Sequence, residues 1–337
     1  MARALISANS LYLQSVWMFE ASTELAIPGL GVTVRRFPEP EAQRLIADLR
    51  KQNVFARHDS FYPRRVEALQ GCTIIEVRRP GNPDDMIPEA QRVAKVVEGT
   101  LLLSASLCSR REEIHRRLSI ATHRRATLDL TIGPGCYYLR SRFRGEADVQ
   151  GMRLDEQACR RYHRCGFPPL ACLCFAGLSI SPRVETAAHW LVESRQEPVL
   201  SAAIVKTAIA LETLLVFSES EALARALSER SAFLLSLDPA LRLRISRVVK
   251  RFYDARSSIV HGSRKKSKEL SPSILEGMDR LTTLLCLILA ANRQLWPSHD
   301  HIQQWCEDQR WGPPASNVVT PFPVHYLRHA VALAERN

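Results

Sequence analysis

The sequence predicts an α+β amino-terminal domain followed by an all-α helical bundle. Three observations predict it. Alternating and β-branched runs, the marks of strands, fall before about residue 180. From Ser181 to about Pro297 strand patterns give way to apolar residues at helical spacing in five segments. The breaks between those segments are short, as they are between antiparallel helices of a bundle. Domains are therefore expected at 1–180 and 181–297, with a carboxy-terminal tail at 298–337.

In the first domain, Gly31-Val32-Thr33-Val34-Arg35-Arg36-Phe37 alternates apolar and polar residues as a half-buried strand does. Pro38-Glu39-Pro40 opens a helix to about Lys51, with Ala42, Leu45, Ile46 and Leu49 on one face. Cys72-Thr73-Ile74-Ile75-Glu76-Val77 is a β-branched strand that stops at the turn signal Pro80-Gly81. A longer helix is expected from about Pro88 to Leu118, with Gly99 as an interruption. Ala126 to Arg144 reads as a hairpin around Gly133-Pro134-Gly135. The arginine pairs 110–111, 116–117 and 124–125 are surface charge or a nucleic-acid contact.

Cys159, His163, Cys165, Cys172 and Cys174 crowd the end of this domain. Zinc sites space their ligands in close pairs. The spacing here fits no common zinc pattern, and buried thiols are the simpler reading.

The bundle helices are expected at about Arg183–Ser194, Val199–Phe217, Glu219–Leu237, Asp238 to near His261, and from Ser271-Pro272 to about Ala291. Asp238-Pro239 and Ser271-Pro272 are helix-start signals, and Gly262 is a helix-end signal. The tail carries an amphipathic segment from Val324 to Arg336. Its His299, His301 and Cys306 read as solvated rather than metal-binding.

The formal net charge of +11 favours an anionic partner such as nucleic acid. The opening Met1-Ala2-Arg3 leads into a mixed polar segment rather than a signal peptide, and the apolar run Leu284–Ala291 is far too short to span a bilayer. A cytoplasmic protein with no membrane association is expected, its nine cysteines reduced. The sequence lacks a phosphate loop, a complete dinucleotide fingerprint and a nucleophile elbow, so no cofactor is expected and no metal is assigned.

The chemistry concentrates in Arg251-Phe252-Tyr253-Asp254-Ala255-Arg256-Ser257-Ser258-Ile259-Val260-His261-Gly262. Arginine holds phosphate with two parallel hydrogen bonds. Histidine takes or gives a proton near neutral pH. From Leu241 to Lys268 there are ten basic residues and one acidic residue. Lys250, Arg251, Arg264, Lys265, Lys266 and Lys268 are the candidate RNA contacts of that stretch. Glu212 lies in an apolar run, where a carboxylate is seldom buried without a partner, and Arg256 is the simplest partner. Tyr253, Asp254 and Ser257 are candidates for orienting the site. The plainer alternative keeps Arg256 as an ion-paired bundle residue and His261 as a helix cap. Residues five apart on a regular helix point roughly 140° away from each other. Arg256 and His261 therefore meet only if the helix frays before Gly262 or if two chains come together.

The R-x-x-x-x-H pattern of Arg256 and His261, followed by Gly262 on the fourth of five helices, resembles the HEPN ribonuclease superfamily. The run Ala210-Leu211-Glu212-Thr213-Leu214-Leu215, two helices earlier, and Arg256–Gly262 look most like its ApeA-like branch. The resemblance covers about residues 181–297. It implies a metal-independent endoribonuclease that cleaves RNA by attack of the 2′-hydroxyl. It implies Arg256 and His261 as catalytic residues and a homodimer whose two motifs share one active site. It further implies anti-phage defence or toxin action, with a cognate antitoxin or a phage-derived trigger as partner and the amino-terminal domain as sensor or substrate selector. Two other functions stay open: a non-catalytic module of this type that binds RNA or protein, and a metal-dependent nuclease in the amino-terminal domain near Glu76-Val77-Arg78.

Overall fold

The structure, a computed structural model, describes residues 9–16, 19–51, 66–67, 69–80, 83–107, 109, 127–133, 136–142, 152–218, 222–262, 271–311 and 317–336. They divide into two compact units, Met1–Glu98 with Arg116–Arg161, and Gly99–His115 with Tyr162–Asn337. The second unit thus begins earlier than residue 181 and takes in the expected tail. The arginine pairs near residues 110–125 lie outside the described residues.

The first unit is built on a six-stranded antiparallel sheet of order β3-β4-β5-β1-β6-β7. Its strands are β1 (Asn9–Ser15), β3 (Leu25–Ile27), β4 (Val32–Arg36), β5 (Thr73–Pro80), β6 (Thr127–Gly133) and β7 (Cys136–Arg142). The short β2 (Phe19–Ala21) pairs in parallel with β8 (Met152–Leu154). The expected strands at β4 and β5 and the hairpin β6–β7 are present, with Gly133 opposite Cys136. In β4, Val32 and Val34 are buried while Thr33 and Arg35 on the other face are half-buried, so the alternation sets which face meets the core. Helix α1 (Glu39–Lys51) buries Ala42 and Ile46, with Glu39 and Glu41 in its first turn and Arg50 and Lys51 in its last. Those charges complement the helix dipole.

Helix α2 (Pro83–Ser106) starts five residues before the expected Pro88 and runs straight through Gly99. A Cβ on Gly99 would meet the Val192 side chain at 3.4 Å, an ordinary van der Waals contact. The crowded cysteine segment folds as α3 (Glu156–Arg164) and α4 (Phe167–Leu173), joined at Gly166 with φ 80°. Cys159, Cys165 and Cys174 are buried.

The five expected bundle helices are α5 (Ser181–Gln196), α6 (Leu200–Leu215), α7 (Leu223–Leu235), α8 (Pro239–Val260) and α9 (Pro272–Ala291). Every residue of α9 from Gly277 to Ala290 is buried, which makes it the axis of the unit. The tail departs from expectation. It forms α10 (His299–Trp311) and α11 (Val324–Glu335), and α11 packs along α9. Leu327, Ala330, Val331 and Ala334 are buried. Contact is close because Gly277 has no side chain: a Cβ there would lie 2.4 Å from the Ala334 nitrogen and 2.6 Å from the Ala330 oxygen. Among the described residues, no helix is long and apolar enough to cross a membrane.

Candidate functional site

Helix α8 carries the candidate site, and local sequence fixes both of its ends. The Asp238 carboxylate accepts the Ala240 N–H at 2.9 Å and Pro239 takes the first helical position. At the other end, the Gly262 N–H donates to the Ile259 carbonyl, and Gly262 has φ 69°. The left-handed conformation suits glycine and stops the helix there. Leu241, Ile245, Val248, Val249 and Phe252 form its buried stripe.

Arg256 points toward α6. Its Nη2 lies 3.2 Å from Glu212 Oε1, and both side chains are 22% exposed. The partner expected for Glu212 is thus in place. The contact is one of charge rather than an aligned hydrogen bond, since Glu212 Oε1 and Arg256 Nε are both buried without hydrogen-bond partners. Tyr253 completes the group. Its ring lies 5.4 Å from the Arg256 guanidinium carbon. Burial raises the Tyr253 phenol above its ordinary range, and the charge and hydrogen bond of Glu212 add to that effect. The hydroxyl therefore keeps its proton beside the Glu212 carboxylate. Glu212 is a shared anchor for Arg256 and Tyr253.

His261 sits elsewhere. Helical structure persists through Val260, and the His261 N–H still donates to the Ser257 carbonyl at 3.0 Å. The helix does not fray before Gly262, so Arg256 and His261 diverge within one chain. His261 is exposed and continues an outward stripe with Leu243, Arg247, Lys250 and Asp254. Leu243 and Val260, at either end of the exposed surface of α8, are each 52% exposed. Ser257 is half-buried.

The basic stretch is less open than its sequence implies. Arg251 is half-buried and donates to the Ala334 carbonyl of α11. Arg244 forms a two-pronged pair with Glu335 at 2.9 and 2.7 Å. Arg242 donates to the Ser236 carbonyl and to Gln309. Lys250 and Arg247 are exposed. Arg264, Lys265, Lys266 and Lys268 lie outside the described residues.

Two charged groups went unread in the sequence. Arg195 of α5 and Asp279 of α9 pair at 2.7 Å in the core, and Arg195 also donates to the Thr283 hydroxyl at 2.9 Å. The signal was a charged Asp279-Arg280 step just ahead of a long apolar run. In the first unit, Glu76 is 3% exposed and bound by Arg35 and Arg78, while Arg35 also grips Glu41. Two guanidiniums thus compensate the buried Glu76 carboxylate. Among the described residues, no three His, Cys, Asp or Glu side chains group as metal ligands would.

Compared with protein-family models, with curated proteins and with solved structures, the chain matches none.

Proposed function

We propose that this chain is a metal-independent endoribonuclease of HEPN type that works as a homodimer. The observation that carries the proposal is the division of labour along α8. Arg256 is held from one side by Glu212 and Tyr253, while His261 stands exposed at the helix end on another side. At 22% exposure, Arg256 keeps part of its guanidinium open to a phosphate. Two copies related by a two-fold axis would supply the second histidine that acid–base chemistry needs.

In this reading His261 of one copy takes the proton from the RNA 2′-hydroxyl. The 2′-oxygen bonds to phosphorus and the bond from phosphorus to the 5′-oxygen breaks. The partner's His261 gives that oxygen its proton. Arg256 stabilises the negative charge gathering on the phosphoryl oxygens. The products are a 2′,3′-cyclic phosphate and a 5′-hydroxyl. Anti-phage defence or toxin action is the setting that follows from the resemblance, with an antitoxin or a phage-derived trigger as the controlling partner.

The test is incubation of the purified chain with RNA in excess chelator. Cleavage that persists in chelator and disappears in His261→Ala supports the proposal. A second reading, a non-catalytic module, draws on the half-exposed Leu243 and Val260, which suit a protein contact. Binding of RNA or a partner without cleavage favours it.

A further inference from the structure

Away from Arg256, a cleft of about 270 Å³ lies between α7 and α10. Small side chains create it. Ala222, Ala226 and Cys306 are among its lining residues, where larger side chains would fill the space at normal packing density. Its volume is near the lower end of the roughly 300–1,000 Å³ range of small-molecule sites.

The walls carry opposed chemistry. Arg225 of α7 donates through Nε to Glu229 Oε1 at 2.8 Å, and Arg310 of α10 pairs with the other oxygen of the same carboxylate. Two guanidiniums thus share one acid, and each keeps further donors. Phe233 offers a ring on the α7 wall, and the Arg242 guanidinium carbon lies 5.0 Å from that ring. The floor is the Cys306 thiol. Burial pushes it up to about 12, against the pull of Arg230, Arg310 and Arg242. It is therefore a neutral thiol and not a nucleophile or a metal ligand at ordinary pH.

We infer that this cleft binds a small phosphate monoester with a ring, of mononucleotide size or less. A phosphate group bridges the outward donors of Arg225 and Arg310, replacing part of what Glu229 now satisfies. The ring lies against Phe233 and the apolar floor. Glu307 on the α10 wall limits the negative charge that the cleft accepts, which favours one phosphate over a polyanion such as RNA. Along α8, Arg242 is nineteen residues from His261, or about 28 Å of helix. The cleft is thus a separate place from the proposed catalytic centre.

Calorimetric titration of the full chain with adenosine 5′-monophosphate tests this. The expected result is saturable binding that Arg225→Gln/Arg310→Gln weakens about tenfold or more, equivalent to about 1.4 kcal/mol. Arg225 is 72% exposed and Arg310 39%, so the double variant should fold, and its melting temperature checks that it does. Phe233→Leu should weaken the nucleotide while leaving inorganic phosphate unchanged. Binding that survives Arg256→Ala separates this cleft from the ribonuclease site, whatever becomes of RNA cleavage. The inference falls if the nucleotide fails to saturate the wild-type chain, or if the double variant binds it as tightly as wild type.

Discussion

Arg256 of α8 stands 3.2 Å from Glu212 of α6, with its guanidinium over the Tyr253 ring. At one-fifth exposure the pair contributes little to stability, on the order of 0–1 kcal/mol. Glu212→Gln is therefore expected to melt within a few degrees of wild type and yet to cleave RNA slowly, because Arg256 loses its anchor. Arg256→Ala removes the cation itself and is expected to lower the rate by about 10²–10³-fold. Single-turnover cleavage assays beside melting curves separate the two effects. Wild-type rates in both variants would sink the assignment.

A site shared by two chains makes a second claim. His261→Ala alone removes both copies of the histidine, and Arg256→Ala alone removes both arginines. Mixed dimers of the two variants keep one His261 and one Arg256, on different chains. Because the His261 of one copy acts as base and that of the other as acid, they are expected to stay as inactive as either parent, and mixed dimers of wild type with His261→Ala, which keep both Arg256 but one His261, are expected to lose cleavage as well. Sedimentation of each variant establishes that dimers form, and wild-type rates in the wild-type/His261→Ala mixed dimers would count against a site that needs both histidines.

The contact at Gly277 gives a stability prediction. Because a Cβ there meets backbone atoms of α11 rather than a movable side chain, the helices have to separate to admit it. Gly277→Ala is expected to cost at least about 2–3 kcal/mol, and Gly277→Leu more. Chemical denaturation measures both.

Arg195 and Asp279 form an ion pair in the core, and burial lowers the Arg195 pKa while Asp279 holds it up. Removing one partner strands the other charge. Asp279→Asn is expected to cost about 3–5 kcal/mol, or on the order of 10 °C in melting temperature. Arg195→Met with Asp279→Leu is expected to recover most of that loss, since neither charge is then buried alone.

Acid should loosen the α9–α11 contact. His329 Nδ1 lies 2.8 Å from Arg280 Nη1, and only a neutral ring can accept from a guanidinium. Burial lowers the His329 pKa first, then Arg280, Arg336 and His325, while Glu276 opposes them. A folded pKa below the unfolded value means that the unfolded chain takes up the proton first. Stability is therefore complete above the ordinary histidine range, about pH 6.5, and declines as pH falls through the lowered value. His299, lowered chiefly by burial, acts with the same sign. Melting curves from pH 7.5 down to pH 5 should fall, and His329→Gln should flatten part of that slope.

The legible parts of the molecule were those written locally. Asp238-Pro239 and Gly262 mark both ends of α8 by backbone chemistry that needs no distant partner. Glu212 announced a cationic partner because a carboxylate in an apolar run has few alternatives. Central strand β1 was missed because both of its faces are covered, so Leu11-Tyr12-Leu13 shows no alternation. Helix α11 was taken for an outer tail because its closest contacts use alanine. Ala330 and Ala334 give weak hydropathy but allow the near approach that Gly277 requires. The Arg195–Asp279 pair joins residues 84 apart in sequence, and nothing near either one indicates the other.

The Gly277 face of α9 is closed by a helix that follows it in the chain by more than thirty residues. During synthesis the central helix therefore emerges from the ribosome well before α11, with an apolar flank awaiting its cover. Helices α5 to α8 can gather around α9 in that interval, but the core closes only after residue 335 has left the exit tunnel. A chaperone that binds apolar helix surfaces has its window at that stage, and a ribosome stalled between α9 and α11 would present the same flank to proteases.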